Sequence, residues 1–328
     1  MKIWMAGLIA LASASAGFAQ EAPLPDDQAA MKAHVLFLAS DALRGREAGG
    51  PEYRIAAEYV AAQFFAAGLK PAGDAGSYIQ KVPLVTYRAA DKGDVVLTGA
   101  GAGPRTLVFG EDYVPGAVAS AAQTALDAPV VFVGYGLVAP NYRRDDYAGV
   151  DVRGKTVVIL INDADWQTMG REGPFEGRAM TWYGRWPYKF ENAARHGAEA
   201  ALIVHQTEPA AYPWAVVQSS WTGPQLELDE AGDHQDQSQV IGWLQQPVAE
   251  RILKAAGRDL ATLTKAAQTK GFKAVPLGLT LSGGFGNTIR RQASKNVIGV
   301  LPGTTEPGDY VLYSAHWDHL GRCDAVDG

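Results

Sequence analysis

Tyr310-Val311-Leu312-Tyr313-Ser314-Ala315-His316-Trp317-Asp318-His319-Leu320-Gly321 runs an apolar, aromatic and β-branched segment straight into a polar cluster. Residues 310–315 predict a strand. Residues 296–301, Asn-Val-Ile-Gly-Val-Leu, predict another just before it. The connection 302–308 holds two Pro and two Gly, a turn that suits adjacent antiparallel strands. Open α/β sheets hold their ligands at strand ends. Strand side chains alternate with period two, so His316 and Asp318 share a side if the strand continues. A neutral imidazole is a good ligand for zinc. A carboxylate nearby can accept its other ring N–H and fix its tautomer. His-x-Asp alone is more often an ordinary solvated turn; the strand that leads into it puts a metal ligand on an equal footing.

Working outward, residues 26–38 predict a helix, with Asp27 as a cap and Met31, Val35 and Leu38 on one side. A polar turn follows, containing Arg44-Gly45-Arg46 and Gly49-Gly50-Pro51. Tyr53, Ala56, Val60, Phe64 and Ala67 then form one helical stripe that Gly68 closes. Residues 78–87, 94–98 and 106–109 look extended. Two helices followed by strands predict a layered α/β domain. A second unit mixes strands with short helices. Residues 130–133 are a strand ended by Gly134-Tyr135-Gly136, 156–161 is a strongly β-branched strand, and 201–205 is another strand. Residues 191–196 are helical and closed by Gly197. Pro247 opens a helix carrying Val248, Ile252 and Leu253, and Leu260, Leu263 and Ala267 form a last short stripe.

The 328 residues are 47% hydrophobic and 20% charged, enough apolar material for two cores. The formal net charge is −6 with no Lys/Arg block, which argues against nucleic-acid or anionic-membrane partners. Lys2, the apolar residues 3–11 and the small-x-small triplet Gly17-Phe18-Ala19 read as an export signal over residues 1–19. The apolar run is too short to span a bilayer. The mature protein is then expected in the periplasm or the extracellular medium. The one cysteine, Cys323, permits no internal disulfide and reads as a bystander.

Three stretches together resemble the co-catalytic zinc aminopeptidases, a family that includes bacterial leucine aminopeptidases and, more distantly, glutamate carboxypeptidase and the transferrin receptor ectodomain. The first is Leu38-Ala39-Ser40-Asp41-Ala42-Leu43-Arg44-Gly45-Arg46-Glu47-Ala48-Gly49, with the helix on to Gly68-Leu69-Lys70-Pro71. The second is Asn296-Val297-Ile298-Gly299-Val300-Leu301-Pro302-Gly303 with Ser314-Ala315-His316-Trp317-Asp318-His319. The third comprises Val131-Phe132-Val133-Gly134-Tyr135-Gly136, Gly154-Lys155-Thr156-Val157-Val158 and Ala193-Ala194-Arg195-His196-Gly197-Ala198, and looks like a protease-associated domain.

The resemblance implies an α/β fold: a mixed-sheet zinc exopeptidase domain over residues 20–115 and 275–328, interrupted by a β-rich protease-associated insert over 116–274. It implies a hydrolase that releases N-terminal residues from peptide substrates with two zinc ions. In it His316 is a metal ligand and Asp318 a catalytic-site carboxylate that orients one. The family's bridging Asp, general-base Glu and remaining ligands fall after this motif and are not in the sequence. The chain therefore reads as an N-terminal fragment without activity of its own. Rival readings on the same scaffold are a non-catalytic receptor-like or interaction module, and a single-zinc glutaminyl cyclotransferase.

Other residues carry weaker patterns. Asp163 and Asp165 follow a strand end and suit a cation, though a solvated turn is the plainer reading. His205 ends an apolar strand and reads as structural; His196 precedes the turn that leads into it. The aromatic run 182–190 suits either a peptide cleft or inter-domain packing, and Trp214 and Trp221 pose the same choice. Arg44 and Arg46 are expected to pair with carboxylates.

Overall fold

A computed structural model describes residues 24–89, 95–99, 102–117, 122–229 and 237–322. The expected export segment 1–19 and Cys323 lie outside the described residues. In chain order the elements are α1 (Asp26–Leu38), α2 (Pro51–Ala66), β1 (Lys70–Pro71), β2 (Ile79–Ala89), β3 (Val95–Gly99), β4 (Ala102–Leu107), β5 (Tyr113–Ala117), β6 (Gln123–Phe132), β7 (Val138–Ala139), β8 (Arg144–Asp145) and β9 (Thr156–Leu160). There follow α3 (Trp186–Arg195), β10 (Ala200–His205), α4 (Thr207–Ala210), α5 (Trp214–Thr222), β11 (Gln225–Leu228), β12 (Val240–Gln245), α6 (Gln246–Ala255), α7 (Leu260–Ala267), β13 (Val275–Val297) and β14 (Gly299–Val300). The fold is mixed α/β. Among the described residues no helix is long and apolar enough to cross a membrane. The chain divides into two units, Gly73–Asn296 and Met1–Ala72 with Val297–Gly328.

The larger unit is built on one mixed sheet, ordered β11-β2-β13-β6-β9-β10-β12-β5, with β3 also on β13 and β4 on β3. Its centre is parallel: Val130 pairs with Thr156, Thr156 with Ala200, and Ala200 with Val240. Strands β9 and β10 are buried along their whole length, as central parallel strands covered on both faces must be. Their near-continuous apolar runs suit that position. Alternation sorts them between two cores. Val158, Leu160, Leu202 and Val204 join Val248, Leu253 and Leu263 of α6 and α7 in one. Val157, Ile159, Ala201 and Ile203 join Phe190 and Ala193 of α3 in the other. Each fully buried aliphatic side chain contributes roughly 1.5–3 kcal/mol of transfer free energy.

Two elements of this unit differ from the sequence expectation. Helix α3 begins at Trp186 rather than near Glu191, with Pro187 in its first turn, where the missing N–H costs no hydrogen bond. Strand β13 spans 23 residues. Its apolar alternation, Leu277, Leu279 and Leu281, is buried, but Gly278, Gly283 and Gly284 break the pattern that a strand reading relies on. The residues β13 pairs with on β6 and β3 supply the order that its own propensity lacks.

In the smaller unit, α2 buries Tyr53, Ala56 and Ala57, while α1 buries no residue. The Phe37 and Tyr59 rings stack at 4.2 Å, and Tyr59 Oη lies 2.8 Å from His34 Nδ1. The β1–β14 pair sets Pro71 opposite Gly299. A Cβ on Gly299 would sit 2.8 Å from Phe64 Cδ2, so only glycine lets α2 approach this strand. The strand expected over residues 310–315 is not formed: these residues are in no ladder, and Val311, Leu312 and Tyr313 are 81%, 88% and 92% exposed. Strand propensity expresses itself through neighbours, and no described residue pairs with this segment.

Candidate functional site around His316

The site is assembled by the turn after α1. Ser40 Oγ accepts from Ala42 N–H at 3.3 Å and opens a short 3₁₀ turn, Asp41–Leu43, whose Leu43 is buried. Arg44, Gly45 and Arg46 then take successive left-handed conformations, with φ of 44°, 75° and 45°. Such residues cost on the order of 1–3 kcal/mol each when not glycine, so surrounding contacts must hold them. Those contacts lead to the loop after His316. His319 N–H donates to Arg46 O and Gly321 N–H to Gly45 O, both at 3.0 Å. Arg46 Nε donates to Trp317 O at 2.7 Å, and its Nη1 donates to Leu38 O. The Trp317 ring stacks on Tyr53 at 5.6 Å and 16°. A Cβ on Gly45 would lie 2.2 Å from Gly321 O.

This corrects the expectation that both arginines pair with carboxylates. Arg44 does lie 3.7 Å from Glu52. Arg46 instead bridges two backbone carbonyls, at Leu38 and Trp317. Its fork of rigid N–H groups suits that task. No spacing in the sequence announces it.

On the clamped loop His316 and Asp318 are brought together. His316 Nδ1 lies 3.2 Å from Asp318 Oδ1 and 3.2 Å from Asp318 O. The imidazole side chain is 82% exposed. With Nδ1–H donating to Asp318, the lone pair falls on Nε2, the nitrogen that points away from the brace. That is the tautomer a metal-binding imidazole needs. No group of three or more His, Cys, Asp or Glu side chains able to hold one ion occurs among the described residues. A catalytic zinc takes three or more protein ligands. The described residues thus bring one exposed imidazole and one carboxylate together on this loop.

The other sequence candidates resolve differently. Asp163 is fully buried and suits neither a cation nor a solvated turn. It accepts from Thr181 N–H at 2.6 Å and Thr181 Oγ1 at 2.9 Å. Burial pushes its carboxyl above the usual range. Asp165 accepts from Phe175 N–H at 2.9 Å and braces the same loop. His205 is structural: buried, its Nε2 lies 3.0 Å from Tyr212 O, and burial holds it below the usual imidazole range. His196 stacks on Tyr147 at 4.1 Å.

Sequence reading missed Lys189, which is fully buried. Its Nζ donates to Tyr135 O at 2.7 Å and Asn162 O at 2.9 Å. Burial pushes it down to about 7. Near it, buried Asp146 pairs with Arg144 at 2.9 Å. Nothing in a polar-looking Asp145-Asp146-Tyr147 turn signals a buried ion pair.

No family model and no curated protein matches the sequence. Among solved structures, the chain is similar to the aminopeptidase from Aneurinibacillus sp. strain AM-1, at 20% identity and a TM-score of 0.38. The alignment covers 84% of this chain and 48% of that one, so the chain spans about half the length of the solved aminopeptidase it matches.

Proposed function

We propose that this chain belongs to a zinc-dependent exopeptidase that releases N-terminal residues from peptides. His316 is one metal ligand and Asp318 the carboxylate that sets its tautomer. The observation that supports this reading is the exposed imidazole whose Nδ1 rests 3.2 Å from the Asp318 carboxylate, on a loop held by three left-handed residues. A merely solvated His-x-Asp turn needs no such clamp. The remaining ligands of a complete site come, in this proposal, from outside the described residues. Residues 116–274 are read as the protease-associated insert, and residues 1–19 as the signal that exports the protein to the periplasm or medium.

The test is made on the complete gene product, with an amino-acid p-nitroanilide as substrate and zinc content measured alongside. His316→Ala is expected to remove chelator-sensitive hydrolysis and lower bound zinc. Asp318→Asn is expected to weaken zinc affinity by roughly 10–100-fold. Full activity and full zinc content in His316→Ala would overturn the assignment. A wild-type product that binds partners but never hydrolyses would favour the receptor-like reading.

A further inference from the structure

The β7–β8 hairpin and the segment leading from α7 to β13 line one hollow of about 410 Å³, a size at which small organic molecules bind. Its charged lining is Arg143, Arg144, Asp145, Asp146 and Lys273. The inner pair is committed to structure. Arg144 and Asp146 are buried. Arg144 Nε donates to Asp146 Oδ1 at 2.9 Å, and its Nη2 donates to Asp146 Oδ2 at 3.3 Å and to Ala267 O. Leu137 N–H donates to Asp146 Oδ2 at 3.1 Å. The pair thereby ties the hairpin to the end of α7 and fixes the floor of the hollow.

Two further cations are left over. Arg143 closes the turn Pro140–Tyr142 in the left-handed conformation, with φ of 50° and its N–H on Pro140 O at 2.9 Å. The Arg143 and Lys273 residues are exposed, and among the described residues neither side chain has a hydrogen-bond or ion-pair partner. Carboxylates are not scarce in a chain of net charge −6, so two unpaired cations on one hollow call for an anion from outside. The lining also chooses which anion. Three cations against two carboxylates leave one positive charge in excess. A monoanion neutralises it, whereas a phosphate dianion overshoots and meets Asp145. The planar guanidinium fork matches a carboxylate. Val138 and Pro140 supply apolar wall beside it. A metal cation is disfavoured: the Asp146 oxygens are taken, and Asp145 Oδ1 already accepts from Tyr147 N–H at 2.9 Å. We propose that this hollow binds a small organic molecule carrying one carboxylate on an apolar stem, with Arg143 and Lys273 as its counter-charges. The inference stands apart from the zinc reading, because the hollow lies wholly within Gly73–Asn296 and His316 does not.

The experiment titrates the 328-residue chain with N-acetyl-leucine at low ionic strength, followed by calorimetry. This probe has a carboxylate and an apolar side chain but no free N-terminus, so it tests binding alone. Saturable binding is expected, with at least about tenfold weaker affinity for the uncharged N-acetyl-leucine amide and for inorganic phosphate. Arg143→Asn and Lys273→Gln, both at exposed positions, are each expected to weaken binding of N-acetyl-leucine by about tenfold while leaving the far-ultraviolet circular dichroism unchanged. Asparagine tolerates the left-handed backbone at 143, and Lys273→Gln keeps the test informative if the turn shifts. Absence of saturable binding, equal affinity for the acid and its amide, tighter binding of phosphate than of N-acetyl-leucine, or affinity unchanged in both variants would each overturn the proposal.

Discussion

Lys189 shows how a single side chain ties loop geometry to pH. Its ammonium is enclosed, held by two carbonyls, and close to two buried carboxylates. Burial dominates and lowers its affinity for a proton to about 7, against 10.5 in the unfolded chain. Between those values the unfolded chain binds more protons than the native one, so native stability rises as pH rises. Below about 7 both states are protonated and the cost of the buried charge is fully present. Asp163 and Asp146 act with the opposite slope. Their raised folded values mean that stability falls as pH rises through them. Urea unfolding should therefore show wild-type stability climbing by about 2 kcal/mol from pH 7 to pH 9. Lys189→Met should flatten that rise. It should also leave the Tyr135 and Asn162 carbonyls without their donor, a cost of about 1–3 kcal/mol each. Parallel pH curves for the two proteins would show that Lys189 does not carry the effect.

At the scale of elements, legibility follows locality. Strands β9 and β10 were readable because a parallel strand covered on both faces reads as a near-continuous apolar run. Helix α6 was readable because Pro247 and Gly257 mark its ends. The start of α3 was hidden, since Trp186, Tyr188 and Phe190 look like a loop of aromatics until they are placed around a helix. The long strand β13 was hidden by its glycines. His316 and Asp318 were legible two residues apart, but the turn that holds them was not: Arg46 and Trp317 are separated by 271 positions, and no periodicity links them. The clamp makes a sharp prediction. Arg46→Ala removes both carbonyl contacts and leaves a non-glycine left-handed residue without support. Hydrogen exchange at the His319 and Gly321 amides should accelerate by at least about tenfold, corresponding to about 1.4 kcal/mol of lost local stability, while amides of β9 and β10 keep their protection. Gly45→Ala should do the same through its clash with Gly321 O. Unchanged exchange at both amides in both variants would mean the loop holds itself.

The whole molecule distributes its apolar surface unevenly. Both extended cores belong to the larger unit. The smaller unit leaves Met31, Leu36, Phe65, Leu301 and Leu312 between 64% and 88% exposed. Folding requires enough burial to offset conformational entropy of about 1–2 kcal/mol per residue for the backbone alone, and the larger unit holds the two extended cores that can do so. Residues 73–296 are therefore expected to fold as an autonomous domain. Expressed alone, they should unfold in one cooperative transition, with a midpoint within about 4 °C of the main transition of the whole chain. Residues 24–72 joined to 297–322 by a flexible linker should show no such transition. Limited proteolysis of the whole chain should cut first near Leu312 and within α1, and should leave the larger unit intact. A domain of residues 73–296 that stays molten, binding a hydrophobic dye and lacking near-ultraviolet dichroism, would mean that its two cores are completed by the smaller unit. Cooperative unfolding of that domain, with its indole N–H resonances dispersed as in the whole chain, would show that both cores form within residues 73–296 alone.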